Sequence, residues 1–471
     1  MSGSHTRARF RRADGLPGAV GVTLLGALLP GVGYAWSGRR LGYALLLATL
    51  GVLILLASLT RGAGSLLDLA FDPGRLRAVA TIVGVSLVVW VFVVVTTYLM
   101  VRPTRMGPWR TGAGAAFVFL LCLAVTLPVG LAMRAALAQA GLVSEVFAPK
   151  ISATVPKDVT KADPWGGRDR VSVLVIGGDA GPGRTGVRTD TVILLSIDTH
   201  TGKAVMFSLP RNMMYAQFPE SSPLHDVFPD GFTGAGDPAS WMLNAVYGQV
   251  PALYPHILGK SDNEGADALK QAVEGSLGTP VDYYALVELK GFRNVVDAMG
   301  GVTVNINEPV AIGGSIDHND PPDDYLEPGP DQHLDGFHAL WFARGRWGSD
   351  DYERMLRQRC MVNALVDEAD PIHLLTHYTK LAQAGREIVE TDIPRELMPA
   401  FVDLGMKVKE HRLKSLAFVS SDEFFSGDPD YSWMHETVDR ALTHQRKRAG
   451  RRNDPGRAVA ADDVCGYHPV G

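Results

Sequence analysis

Two aspartates and a set of arginines carry the chemistry open to this sequence. Asp179 stands just past a short apolar run, VSVLVIGG at 171–178, and Asp190 just before a second, TVILLSID at 191–198. If these runs pair as strands, the two carboxylates converge. Two carboxylates with room for water suit Mg²⁺, which takes oxygen ligands and keeps several waters. Alone, the same pair reads as turn or helix caps. Arg188 lies two residues before Asp190, and Arg211 closes SLPR after a third apolar run at 204–208. Arg344 and Arg346 are two apart in WFARGRW; on an extended segment that spacing puts both guanidinium groups on one face. Arg354, Arg357 and Gln358 fall at i, i+3 and i+4 of a predicted helix over Asp351–Glu368 and share its face. Any one arginine could be a surface ion pair, worth about 0–1 kcal/mol. Arriving together at strand ends and on one helix face, they read as a phosphate or pyrophosphate site, because arginine is planar, permanently charged and bidentate.

Other chemistries find less support. Residues 181–186, GPGRTG, match GxGxxG literally, but a dinucleotide site needs a helix to follow, and a strand is predicted instead. No Ser-His-Asp or Cys-His pairing suggests itself, and His318, His333 and His338 lack metal-ligand spacing. The three cysteines, Cys122, Cys360 and Cys465, form no CxxC. One disulfide, Cys360 with Cys465, could form; a helix thiol and a separate tail thiol is the plainer expectation.

The elements that must hold these residues are short, β-branched runs alternating with helices. Beyond the three runs above, the pattern predicts a helix at 267–277, a strand at Tyr283–Glu288, a helix at 292–299 and a strand at Val302–Ile306. The fold class expected is α/β: a three-layer mixed β-sheet domain with helices on both faces, preceded by an N-terminal helical transmembrane region. Three uncharged stretches, 41–60, 78–101 and 113–133, each reach the roughly 20 apolar residues a bilayer needs. A fourth, 18–36, is broken by Pro30-Gly31-Val32-Gly33, which suits a re-entrant hairpin as well as a span.

Charge divides the same way. Residues 1–135 hold 13 arginines and 3 acidic residues, while the remainder holds 32 basic and 47 acidic. A basic apolar third beside an acidic remainder fits a membrane anchor with a water-facing domain and argues against nucleic-acid binding. Charge and hydropathy together predict a cytoplasmic tail at 1–17, a transmembrane region at 18–135, a juxtamembrane linker at 136–169, a water-facing domain at 170–443 and a disordered basic tail at 444–471. Counting arginines, the re-entrant version places nine inside against three outside, and four full spans seven against five; the positive-inside bias favours three spans and an extracytoplasmic domain.

In order along the chain stand DA-x-PGR, VRTDTVILLSID, SLPRN, LNAVYG, DYYALVELKGF, VVDAMGGVTVNI, LDGFHALWFARGRW and DDYERMLRQR. Together they resemble the LytR-CpsA-Psr family of membrane-anchored cell-envelope enzymes, from about residue 171 to 443. The resemblance implies transfer of a glycopolymer phosphate from a polyprenyl-pyrophosphate carrier to peptidoglycan, forming a phosphodiester. By motif it implies Asp179 and Asp190 as the Mg²⁺-linked carboxylates. It implies Arg188, Arg211, Arg344, Arg346, Arg354 and Gln358 as pyrophosphate contacts, with Arg357 and Asn244 added to the substrate-binding set. The family's apolar channel would be lined by residues such as Leu269, Val273, Phe292 and Leu365. One departure stands out: the family's PRD is Pro210-Arg211-Asn212 here, so a charge that would hold a neighbouring arginine is missing. The partners implied are the lipid-linked glycopolymer, peptidoglycan and membrane lipid. Two other functions fit the same residues: a non-catalytic membrane protein that holds polyprenyl phosphate, and a lipid-pyrophosphate hydrolase.

Overall fold

Alternation along the first strand decides the architecture. In β1 (Arg170–Asp179) Leu174 and Ile176 face one side and Val171, Val173 and Val175 the other. Both sides are apolar, so both must be covered. The computed structural model describes residues 11–61, 66–146, 150–179, 188–314, 320–368, 389–443 and 458–468. The chain divides into two units, residues 1–141 and 142–471.

In the first unit, α1 (Leu16–Leu28) ends at the Pro30-Gly31 break and α2 (Val32–Trp36) follows. Thirteen residues rise about 20 Å, short of the roughly 30 Å of a hydrocarbon core. Trp90 Nε1 donates to Ala27 O at 2.8 Å, and the Tyr34 and Thr96 hydroxyls meet at 2.6 Å, which binds the broken pair to a long helix. That helix is α5 (Pro73–Val101); α3 (Leu41–Arg61), the short α4 (Leu66–Ala70) and α6 (Pro108–Val146) complete the series. By length and composition, 41–60, 73–101 and 108–141 can each cross a membrane.

The second unit is built on a seven-stranded mixed sheet. After β1 come β2 (Arg188–Asp198), β3 (Ala204–Leu209), the short α7 (Pro223–Val227), α8 (Leu243–Leu253), α9 (Glu264–Leu277), β4 (Tyr283–Glu288) and α10 (Leu289–Met299). Then follow β5 (Val302–Ile306), β6 (Val310–Ile312), β7 (Asp324–Leu326), β8 (Gly329–Leu334), α11 (Gly336–Arg344) and α12 (Asp351–Glu368). β9 (Val389–Thr391), α13 (Met398–Lys409), β10 (Lys414–Ala417), α14 (Tyr431–Leu442), β11 (Val459–Ala460) and α15 (Ala461–Val464) finish the chain.

The sheet order is β11-β10-β3-β2-β1-β4-β9. β1 runs parallel to β4 and β3 to β10, and the other neighbours are antiparallel. Side chains of α8, α9 and α14 cover one face of the sheet, and those of α12 and α13 the other. A third core joins α10, α11 and α12 to two small two-stranded sheets, β5–β8 and, nested between those strands in sequence, β6–β7.

Two expectations fail at the C-terminus. Residues 458–468, predicted within a disordered tail, form β11 on the edge of β10 and α15 against α12. The side chains of Asn305 and Asn307 bond the backbone of Cys465, Gly466 and His468, and Cys465 is joined to Cys360 by a disulfide. The arginine-rich stretch conceals this docking: the strand holds two residues, and its partners are remote in sequence.

Near β4 and β9 lies a closed polar network. Lys270 Nζ donates to Asp392 Oδ2 at 2.8 Å and to Asp282 O at 2.7 Å. Asp392 also accepts from Tyr284 N, and Asp282 from Ser172 N. Asp267 accepts from Ser152 Oγ, Ala153 N and Thr154 Oγ1 and so clamps the linker to α9.

Candidate active site

The β1–β2 hairpin positions the aspartates. Gly177 pairs with Thr191 and Gly178 with Thr189, so Asp190 is the extra residue of a bulge, and Asp179 pairs with Arg188. Bulges re-aim side chains, and this one sits where the hairpin leaves the sheet. The pairing therefore brings Asp179, Arg188 and Asp190 to one end. For Asp179 and Arg188 only the backbone is described, and 181–186 lies outside the described residues.

Arg211, two residues past β3, crosses to that end. Its Nη1 donates to Asp190 Oδ1 at 2.7 Å and its Nε to Asp351 Oδ2 at 3.0 Å. Asp351 opens α12 and also pairs through Oδ1 with Arg354 at 3.3 Å. Arg354 is 3% exposed; its Nη2 reaches Asp190 O at 3.5 Å, and its Nε has no partner among the described residues. Two aspartates and two arginines thus interlock across β2, β3 and α12. Asp351 supplies the carboxylate that holds both Arg211 and Arg354. It escapes the sequence reading, although its i, i+3 spacing to Arg354 is a usable signal.

The charges explain the titration behaviour. Burial alone would raise Asp351, but Arg354 and Arg211 outweigh it and hold the carboxyl below its ordinary value. Burial would lower Arg211, yet Asp190 and Asp351 keep it above. Arg354 falls below its ordinary value because burial, with repulsion from Arg211 and Arg346, exceeds the attraction of the aspartates.

The remaining predicted residues divide. WFARGRW is not extended: Arg344 is the last residue of α11, over the Trp341 ring at 5.0 Å, and Arg346 follows the capping Gly345. The apolar 339–342 stretch pays for helix by packing into the third core, which overrides a strand. Arg357 donates to Phe342 O, Gly345 O and Ser349 Oγ, and burial pulls it down to about 10. Gln358 donates to Ala343 O at 3.3 Å. These two brace the segment that carries Arg344 and Arg346. Asn244 N donates to Arg211 O, while the buried Oδ1 atoms of Asn244 and Asn212 have no partner among the described residues. Leu269 and Val273 belong to the core under α8 and α9, and Phe292 and Leu365 pack against the third core.

Among the described residues no group of three or more His, Cys, Asp or Glu is arranged for a metal. Of the two carboxylates predicted to hold a cation, only the Asp190 side chain is described, and its Oδ1 accepts from Arg211.

Residues 146–447 match the model of the LytR_cpsA_psr family. The chain is 29% identical over 231 residues to the polyisoprenyl-teichoic acid–peptidoglycan teichoic acid transferase TagU of Oceanobacillus iheyensis, covering 48% of this chain and 60% of that one. It is 25% identical over 246 residues to TagV of Bacillus subtilis, named for the same activity, covering 52% and 55%. The match thus spans somewhat over half the length of these relatives. The crystal structure of B. subtilis TagV aligns over 58% of this chain and 96% of its own, at 24% identity and a TM-score of 0.41.

Proposed function

Since the chain belongs to the LytR-CpsA-Psr family, we propose that it transfers a glycopolymer phosphate from a polyprenyl-pyrophosphate carrier to a peptidoglycan hydroxyl. Phosphoryl transfer needs neutralised charge and in-line positioning more than a covalent nucleophile. The observation that carries the reading is the interlocked Asp190–Arg211–Asp351–Arg354 cluster, with a buried guanidinium nitrogen that has no partner among the described residues. Arg211 and Arg354, held rigidly before substrate arrives, stabilise charge on the pyrophosphate without reorganising. Arg344 and Arg346, with Arg188 from the hairpin, add further positive potential. Asn244 Oδ1, without a partner among the described residues, offers an acceptor to a substrate hydroxyl.

Mg²⁺ held by Asp179 and Asp190 would supply further neutralisation of the pyrophosphate. The reaction places the second unit on the outer side of the cytoplasmic membrane. Three spans with a re-entrant α1–α2 pair achieve that from a cytoplasmic N-terminus, and the shortness of α1 supports this version.

The test is turnover of a synthetic lipid-pyrophosphate saccharide with and without peptidoglycan, and with excess chelator. Polymer attached to peptidoglycan, lost on chelation, is expected. Free saccharide phosphate alone indicates a hydrolase, and binding without turnover a holding protein. Full activity in chelator removes the metal.

A further inference from the structure

We propose that Tyr215 and Phe425 form an aromatic landing for the sugar chain of the acceptor, an uncharged run of amino-sugar rings, beside the arginine cluster. The proposal rests on the transfer reading above and concerns the second substrate, which the arginines do not explain.

Position comes first. β3 and β10 are parallel neighbours, so the loops that follow them leave the same edge of the sheet. The first loop begins with Arg211 and reaches Tyr215 four residues later; the second carries Phe425. Met214 N donates to Ser426 O at 2.9 Å, and the Tyr431 hydroxyl to Met214 O at 2.7 Å, so the loops are bonded together next to the two rings.

Exposure follows. Tyr215 is 38% exposed and Phe425 61%, whereas Phe418 and Phe424 of the same loop are buried. An isolated exposed aromatic needs no explanation. These two are held in place. Tyr215 has φ of 55°, a conformation that bulky residues rarely adopt and that persists only where the surroundings impose it. Here Gln217 Nε2 donates to Tyr215 O at 2.7 Å, and Phe232 N to Ala216 O at 2.8 Å. Gly231 lies so close that an added Cβ would stand 2.3 Å from Tyr215 O. The Phe425 ring rests against Gly427, where a Cβ would come within 2.6 Å of Cε1.

Charge separates the two substrates. Asp422, Glu423 and Asp428 are exposed around Phe425, and Glu220 is exposed beyond Tyr215. An anionic polymer phosphate is repelled there and drawn to the arginines. An uncharged sugar ring can lay its C–H face on an aromatic ring and donate its hydroxyls to those carboxylates.

The experiment uses the full-length protein in detergent and purified sacculi stripped of attached polymer. Phe425→Ala and Tyr215→Gly, the latter compatible with the backbone, are each expected to weaken sacculus binding about tenfold, as loss of an aromatic anchor does. The dissociation constant for the lipid-pyrophosphate saccharide should stay unchanged, and Phe425→Trp should bind sacculi like the wild type. Unchanged sacculus binding in both alanine and glycine variants, equal losses for donor and acceptor, or a wild type that binds no sacculi would overturn the landing. A wild type that binds sacculi through these rings yet transfers nothing would sink the transfer reading and leave the landing standing.

Discussion

The second unit holds two clusters of buried charge, and they are finished differently. Around Lys270, an ammonium, Asp392, Asp282 and Asp267 are met by backbone amides, a backbone carbonyl and the linker hydroxyls. Among the described residues the charged groups of this network all have partners, and breaking it leaves a buried charge. Around Arg211 the ion pairs are as short, yet Arg354 Nε and the Oδ1 atoms of Asn212 and Asn244 lack partners among the described residues. Asp190 and Asp351 also stay partly open to solvent. Buried polar atoms without partners cost free energy, so three of them beside one arginine cluster fit the transfer site proposed above. Perturbed titration does not separate the two clusters, because both contain it. Completeness of hydrogen bonding does.

The largest effect that could break this comparison is on folding. Lys270→Ala should destabilise the second unit by about 3–5 kcal/mol, read as a fall in denaturation midpoint, because it strands Asp392. A variant of normal stability would mean that the network is not closed. Next comes Arg354→Ala, or Arg211→Ala, which should cut transfer roughly 10²–10³-fold while lowering the midpoint less than Lys270→Ala does, because Asp190 and Asp351 stay partly open to solvent. If either instead unfolds the chain at normal specific activity, the two clusters have been assigned the wrong way round.

Cys465→Ser tests whether the docked C-terminal segment serves the fold. The bond closes a sequence separation of 105 residues, and its loss should cost about 2–4 kcal/mol, measured by thermal melting against the oxidised wild type, with the reduced wild type melting like the variant. The smallest effect concerns Asp351. Its folded-state carboxyl lies below the ordinary 3.8, so its pairing stabilises fully above that pH and is lost as pH falls through the depressed value. Asp351→Asn should therefore lower the melting temperature by a constant amount from pH 8 to about pH 4, roughly 1–3 kcal/mol in stability, with the gap closing only at lower pH. A gap that widens on acidification would reverse the sign of the argument.

Local pattern was enough for the strands at β1, β2, β3, β4 and β5 and for α9, α10 and α12, because period-two and period-3.6 burial is written in neighbouring residues. It was enough as well for the three long apolar helices and the break at Pro30-Gly31, since hydropathy and proline act within a few residues. The arginines of the candidate site were legible by type. Their division was not: Arg211 and Arg354 interlock with aspartates, whereas Arg357 and Gln358 brace the backbone beyond α11. That depends on which carbonyls the packing of α11 against α12 brings within reach. Asp351 was hidden because its partner Arg211 lies 140 positions away. The helical end of WFARGRW, the disulfide and the C-terminal strand were likewise settled by contacts between distant segments. A single chain states each residue's preference, and only the folded core decides which preferences are satisfied together.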